Sequence, residues 1–409
     1  MRISTATIYE KGLNGIQEQQ AALINTQQQI SSGRRMLSPS DDPIAAAQAI
    51  NITQTLSLNN QFSINRDNTA STLGLVDNVL EGITSNVQDI RRLAVNAGNP
   101  TLSDTDRNSL ATELRGRLNA LVGMANSTDG TGQFLFSGFQ GSTKPFTQTG
   151  LNVQYLGDQG QRLSQVSATR QMPVSDSGSN VFERIKDGNG VFTTAANPTN
   201  NGTAISDIGS VINPALLTGN EYEIQFTVTP TPTPPFSVTT YDIFNVTTAA
   251  IVPPAANPYT EGANISFDGM QFTIVGEPEN GDIFTVKPST NESIFETVGN
   301  LITALETIGG GQPGGTRMTN IVNTTLTNLD NSIERILQTR ATVGSNLQEI
   351  DVLDSVGGDL AIQFEKRLSQ LQDVDMAKAL TDLNRQQVFL EASQRSFVTV
   401  SGLSLFNFL

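Results

Sequence analysis

Residues 73–94 read LGLVDNVLEGITSNVQDIRRLA. Within them Leu73, Val76, Leu80, Ile83, Val87, Ile90 and Ala94 recur at alternating spacings of three and four. That interval keeps side chains on one helix face and seats them against a neighbouring helix. Upstream, Ser38-Pro39-Ser40-Asp41-Asp42-Pro43 is a turn feeding this helix, with Asp42 placed to cap it and Pro43 at the first helical position. The helix is expected to run to about Asn96, roughly 80 Å at about 1.5 Å per residue. Asn99-Pro100 breaks it, and Ser103 opens a second helix, ending near Ala125, with Asp106 in the acceptor position of a capping box. The partner seam lies far along the chain. Ile294, Val298, Leu301, Ile302 and Leu305 form a short helical face, and Gly309 to Gly315 is a break. Val322, Leu326, Leu329, Ile333, Ile336, Val343, Leu347 and Ile350 then form a long one, on which Arg340 is a charge placed to fix register.

The two ends of the chain share a weaker pattern. Ile16, Leu23, Ile30 and Leu37 fall seven apart, and a second lane carries Leu13, Gln20 and Gln27. Met376, Leu383, Leu390 and Phe397 also fall seven apart, beside Leu380, Gln387 and Gln394. Each end reads as a heptad helix with one apolar lane and one that turns polar, which gains its order by packing against partners. Because the ends and the helical layers mirror each other around the middle of the chain, their N- and C-terminal halves are expected side by side.

The middle changes period. Gln133-Phe134-Leu135-Phe136-Ser137-Gly138 and Val153-Gln154-Tyr155-Leu156 read as short β segments between Gly and Pro, so hairpins are expected there. From Asp187 to Val286 there is no Lys or Arg, and ten acids accompany Thr, Pro and Asn. Tyr222-Glu223-Ile224-Gln225-Phe226 and Phe272-Thr273-Ile274 alternate as strands do. The fold class expected is therefore mainly α with β: terminal helices forming coiled-coil pairs, a long helical bundle with a β-hairpin, and an inserted outer β domain. The expected domains are 1–42 with 362–409, 43–178 with 289–361, and the acidic insertion 179–288.

Composition removes most chemistries. The 409 residues contain no Cys, His or Trp and carry a net charge of -15 with only 15% charged residues. Disulfides, thiolate zinc sites and His-based triads are impossible. The acidic balance opposes nucleic acid and anionic membranes as partners. No apolar run reaches the roughly 20 residues of a membrane span, and the start Met1-Arg2-Ile3-Ser4-Thr5-Ala6-Thr7 lacks the pattern of a cleaved signal peptide. Asp104 to Arg115 begins like a calcium loop but has Ser109 where the turn needs Gly and Arg115 where the cation needs Glu. Gly310 to Thr316 lacks the Lys of a phosphate loop. Glu277 and Glu279 lie among many acids and read as solvated charge rather than a glycosidase pair. No catalytic, cofactor-binding or metal-binding residues are assigned, no cofactor is expected, and the chain is not expected to be an enzyme.

At this point the residues resemble a family. Ile30-Ser31-Ser32-Gly33-Arg34-Arg35 followed by Asp41-Asp42-Pro43-Ile44-Ala45-Ala46-Ala47 is similar to the N-terminal signature of the flagellin superfamily. Arg340-Ala341-Thr342-Val343-Gly344-Ser345-Asn346, Asp373-Val374-Asp375-Met376-Ala377 and Leu403-Ser404-Leu405-Phe406 resemble its C-terminal motifs. Met1 to Thr5, the prolines at 39 and 43, and Asp129-Gly130-Thr131-Gly132-Gln133-Phe134-Leu135-Phe136-Ser137-Gly138-Phe139 are more similar to the hook–filament junction branch than to filament flagellin. The resemblance implies an inner tube of terminal helices, a helical bundle outside it and the insertion projecting outward. It implies unfolded type III export without a cleaved signal peptide, a dedicated export chaperone, and an extracellular place on the bacterial flagellum. There a ring of copies would connect the first hook-associated protein to flagellin. The assembly seam expected is Leu13, Ile16, Leu23, Ile30, Leu37, Met376, Leu383, Leu390, Phe397, Leu403, Leu405 and Phe406. Filament flagellin is the alternative reading, and a secreted carbohydrate-binding protein the one from another class.

Overall fold

The computed structural model describes residues 5–233, 237–309 and 314–403, with their side chains except at 5, 6, 8 and 401–403. The elements begin with helices α1 (Thr5–Ser32), α2 (Pro43–Ala97) and α3 (Asp104–Ala125). Two hairpins follow, β1 (Phe146–Thr149) with β2 (Asn152–Tyr155) and β3 (Leu163–Gln165) with β4 (Gln171–Pro173). A single turn α4 (Gly178–Phe182) leads to β5 (Ile185–Lys186). The insertion holds β6 (Phe192–Ala196), β7 (Ile205–Ser206), β8 (Ser210–Val211), β9 (Tyr222–Pro230), β10 (Ser237–Asn245), β11 (Ala250–Pro258), β12 (Asn264–Phe267), β13 (Met270–Val275) and β14 (Ile283–Pro288). The chain returns through β15 (Asn291–Glu292), paired with β5, to α5 (Ile294–Thr307), α6 (Gly314–Gln372) and α7 (Met376–Leu403). The mixture of helices with an antiparallel sheet domain is the one read from the sequence.

The chain forms two compact units, one of Met1–Asn65, Val166–Ala168 and Asp351–Leu409, the other of Arg66–Gln165 and Thr169–Ile350. The larger unit holds the packed core. Leu73, Val76, Leu80, Ile83, Val87, Ile90 and Ala94 are all buried, as are Val322, Leu329, Ile336, Val343 and Ile350 on α6. Arg340 sits on that seam and forks onto Asp77, Nε to Oδ1 at 2.8 Å and Nη2 to Oδ2 at 3.2 Å. A two-pronged pair of this kind ties α6 to α2 at one register. α3 and α5 pack together through Leu114, Leu118 and Leu121 and through Leu301, Ile302 and Leu305. Arg107, only 1% exposed, donates Nη1 to the carbonyl of Ile308 at 3.0 Å. It thereby sets a cation at the negative end of α5. The capping box of α3 is present, Ser103 and Asp106 each accepting from the other's backbone N–H.

One reading of the sequence needs correction. Gln133 to Gly138 is a compound turn, not a strand; Phe134 and Ser137 make only isolated bridges, to Thr128 and Ser177. Glycines 130, 132 and 138 all adopt positive φ, and the Asp129 carboxylate accepts from the N–H of Thr131 and Gln133. These features curl the chain where extended pairing would need it straight. The apolar residues are nevertheless used: the consecutive Leu135 and Phe136 are both fully buried, as no flat strand would allow with one face exposed. There Phe136 meets Phe182 edge-on at 5.2 Å, and Phe182 also contacts Phe146 at 5.6 Å and Phe295 at 6.0 Å.

The insertion forms two sheets around one core. The first has the order β11-β10-β9-β14-β6, and the second β12-β13-β7 with β8 also on β13. Tyr222, Ile224 and Phe226 of β9, Phe272 and Ile274 of β13, and Phe284 and Val286 of β14 share the interior. The edge strand β11 carries Pro253, Pro254 and Pro258, and its register with β10 shifts between Tyr241 and Ile243. At the base, Asp187 N–H donates to the carbonyl of Thr290 at 3.1 Å and Val286 pairs with Thr194, so the insertion enters and leaves at one place.

Candidate assembly surface

The smaller unit is built from α1, α7, the first part of α2 and the last part of α6. α1 and α7 lie antiparallel. At one end the rings of Tyr9 and Phe397 are 4.8 Å apart, and a Cβ added to Gly12 would fall 2.8 Å from Cδ2 of Phe397. At the other end Arg34 bridges Asp373, and Val374 N–H donates to the carbonyl of Gly33 at 3.0 Å. The register these ends set places Leu390 level with Ile16, Leu383 with Leu23, and Met376 with Ile30. The two lanes of seven therefore face each other.

The turn that follows α1 explains its own sequence. Gly33 leaves the helix at positive φ. Arg35 donates Nε and Nη2 to the carbonyl of Leu371 at 3.3 and 3.0 Å, stopping the C-terminal end of α6 with a cation, and pairs with Asp42 at 3.3 Å. Asp41 accepts from the N–H of Ser38 and Leu37 and from the Ser38 hydroxyl, and these bonds hold its carboxyl below the usual carboxylate range. Asp42 caps α2 by accepting from Ala45 N–H at 3.0 Å. Farther along, Asn59 Nδ2 donates to the carbonyl of Gly357 at 2.8 Å and Ser63 donates to Asp354, so polar bonds link α2 to α6 there.

What this unit lacks is an extensive apolar core. Among its described residues the only buried apolar ones are Ala45, Ala49 and Ala379 on the helices and Val166 in the short segment 166–168. Ile16, Leu23, Ile30, Leu383, Leu390 and Phe397 are half-buried between the paired helices, whereas Leu13 and Met376 are exposed. Leu37 is exposed too and lies beyond the end of α1 at Ser32, so the fourth position of the N-terminal lane is not helical. The side chain of Leu403, and Leu405 and Phe406, lie outside the described residues. Sequence reasoning missed a second set of exposed large residues: Ile44, 74% exposed, with Ile50, Leu58 and Ile64 on α2, and Val352, Val356 and Ile362 on α6. The four-residue step from Val352 to Val356 was a signal available for extending the α6 reading past Ile350. On α7, Val388, Phe389 and Val398 face outward. Isolated surface apolars are ordinary, but a unit whose helices expose their large aliphatics and bury only alanines is suited to complete its core with other chains.

No described helix is long and apolar enough to cross a membrane, and no group of three or more acids or histidines among the described residues could hold a metal ion.

Comparison with known proteins agrees with this geometry. A model of the bacterial flagellin N-terminal helical region matches residues 3–141. The flagellar hook-associated protein 3 of Salmonella typhimurium is 29% identical over 407 residues, 99% of each chain, and that of Escherichia coli 27% identical with the same coverage. Flagellin from Salmonella berta is a more distant match, 25% identical over 66% of this chain and 56% of its own. Among solved structures, flagellar hook-associated protein 3 from Legionella pneumophila is 30% identical with a TM-score of 0.72, covering 78% of this chain and 98% of that one. FlgL from Xanthomonas campestris gives 29% and 0.70, covering 78% and 99%, and the flagellar junction protein FlgL from Legionella pneumophila 29% and 0.70, covering 80% and 100%.

Proposed function

This chain belongs to the flagellar hook-associated protein 3 family, and from that premise we propose that it is a structural subunit whose copies form a ring joining the flagellar hook to the filament. In this reading the segments 1–42 and 362–409 supply an inner tube, 43–178 and 289–361 the surrounding bundle, and 179–288 an outer domain. The seam from Leu13 to Phe406 becomes fully buried only between copies and against neighbours. Those neighbours are the first hook-associated protein below and flagellin above. Type III export, with a chaperone on the C-terminal helix, suits a chain that carries no Cys and so has no disulfide to obstruct it while unfolded. The observation that carries the reading is the pair of terminal helices α1 and α7, whose described residues bury no apolar side chain larger than Ala379. A strain lacking the gene is expected to make bare hooks and to shed flagellin into the medium, seen by electron microscopy and by immunoblotting of the culture fluid. Normal filaments on that strain would refute the junction role.

The insertion is expected to be dispensable for this role. Its ends meet where β14 pairs with β6, and its core is its own. Replacing Asp187 to Val286 with a short Gly-Ser linker should leave export and motility largely intact. Asn320 and Asn328 on α6, which now bond to Ser206 N–H and Gly188 N–H, would then be free to meet water instead. Swimming halos below about a tenth of wild type, with the shortened protein secreted and folded, would contradict an outer, non-assembling insertion.

A further inference from the structure

A cleft of about 280 Å³ lies where the insertion is rooted, between β6 and β7 on one side and α5 and α6 on the other. That is just under the roughly 300–1,000 Å³ of pockets that hold drug-sized ligands, so it suits a smaller occupant. Ala195, Ala196, Pro198, Ile308 and Ile321 give it apolar walls, and the exposed Pro198 and Asn300 stand at its mouth. On α6 the lining residues Arg317, Ile321, Thr325 and Asn328 follow one another at helical spacing, a stripe that rises about 16 Å along the axis.

A carboxylate occupies the Asn328 end of that stripe. Glu292, from β15, accepts from the Thr297 hydroxyl at 2.7 Å on Oε1 and from Asn328 Nδ2 at 3.0 Å on Oε2. Both donors are neutral, and among the described residues no Lys or Arg pairs with this acid. The charges that reach it are those of Glu296 and Asp187, of its own sign. Burial pushes the Glu292 carboxyl above the usual carboxylate range, and those two acids push the same way. Each of its oxygens still has a lone pair unspent. One turn before Asn328, Thr325 is 4% exposed and lines the same cleft, and its hydroxyl makes no hydrogen bond among the described residues. A buried charge ordinarily has a counter-ion and a buried hydroxyl a partner. Here the two lie at one end of one cleft with neither need met. The other end is basic: Arg317 donates Nε to the carbonyl of Asn200 at 2.9 Å and Nη2 to Asn201 Oδ1 at 3.2 Å.

We propose that this cleft binds a small primary ammonium ion with a short apolar body, its charged head between Glu292 and Thr325. An ammonium has three N–H donors and no acceptor, which matches a carboxylate with unspent lone pairs beside a hydroxyl oxygen. The alkyl body would lie on Ala195, Ala196 and Ile321. An anionic ligand is repelled by Glu292, and a long diamine would set its second charge against Arg317. Binding here neither requires nor excludes a ring of copies.

The test titrates the purified, isotope-labelled full-length chain with n-butylammonium chloride and follows the amide signals by NMR. Saturable shifts are expected at Thr325 and Asn328. The ammonium should bind about tenfold or more tightly than its neutral counterpart n-butanol, and n-butyrate should leave the signals unmoved. Glu292→Gln keeps an acceptor but removes the charge, and is expected to erase that preference. Thr325→Val keeps the shape of the side chain and should weaken n-butylammonium roughly tenfold. Circular dichroism checks the fold of each variant. If Glu292→Gln does not fold, the wild-type comparison of ammonium with alcohol and the Thr325→Val chain decide. Equal affinity for n-butylammonium and n-butanol would overturn the proposal, leaving a merely apolar cleft. No saturable shift with any of the three would overturn it too, leaving a cleft that holds only water.

Discussion

Leu390→Asp is expected to abolish stable hook–filament junctions while leaving the thermal unfolding of the larger unit unchanged. Leu390 stands level with Ile16 in the α1–α7 pair, is half-buried in the single chain, and follows the exposed Val388 and Phe389. Completing the burial of a leucine contributes roughly 1.5–3 kcal/mol. An aspartate forfeits that gain and adds an unpaired charge to an apolar seam, at a further cost of several kcal/mol. The penalty recurs in every copy of the proposed ring. The larger unit has its own core from Leu73 to Ile350, and position 390 belongs to the smaller unit. The measurement is flagellin in the culture fluid beside the secreted variant, with calorimetry on the purified protein. Secretion must be verified first, since the chaperone proposed for export would use the same helix. Wild-type filaments built on secreted Leu390→Asp chains would defeat the assignment of this lane to assembly.

Phe182→Ala should do the reverse. Phe182 is fully buried in α4 among Phe136, Phe146 and Phe295, which come from the turn after α3, from β1 and from α5. Truncating it removes contacts to three segments at once and leaves a cavity that no backbone can collapse to fill. The expected cost is about 3–5 kcal/mol, a fall in melting temperature on the order of 10 °C for a unit of this size. Calorimetry of the larger unit's transition checks it. A shift under about 2 °C would mean that the aromatic cluster repacks around the gap. Together the two substitutions separate a residue that stabilises the monomer from one needed only in the assembly.

The seam at 73–94 was legible because three-and-four spacing reports a helix face directly, and every residue of it is buried. Arg340 was legible for the same reason: a charge on an apolar face requires a partner, and Asp77 supplies it. The turn at 133–138 was misread because alternation of Phe134 and Phe136 imitates a strand. Only the positive φ of the flanking glycines and the Asp129 bonds decide against pairing. Leu37 was drawn into the N-terminal lane by arithmetic that a helix ending at Ser32 does not respect. The exposure of Ile44, Ile50 and Val352 was beyond reach of the sequence for a different reason. Periodicity tells which way a side chain points along a helix, but not whether the surface it points toward belongs to the same chain.

The prolines of β11 have a consequence for how the molecule grows. An open sheet edge offers unpaired N–H and C=O groups to any passing strand and can seed cross-β fibres. Pro253, Pro254 and Pro258 have no N–H to offer, and the register shift against β10 bends the strand. At the opposite edge, β6 is occupied where Thr194 donates its hydroxyl to the carbonyl of Asp207 at 2.6 Å. The sheet is thus poorly able to polymerise by adding strands. Amyloid-like addition is thereby denied a template, and any association is left to the helices, whose side-chain seams accept only a partner of matching pattern.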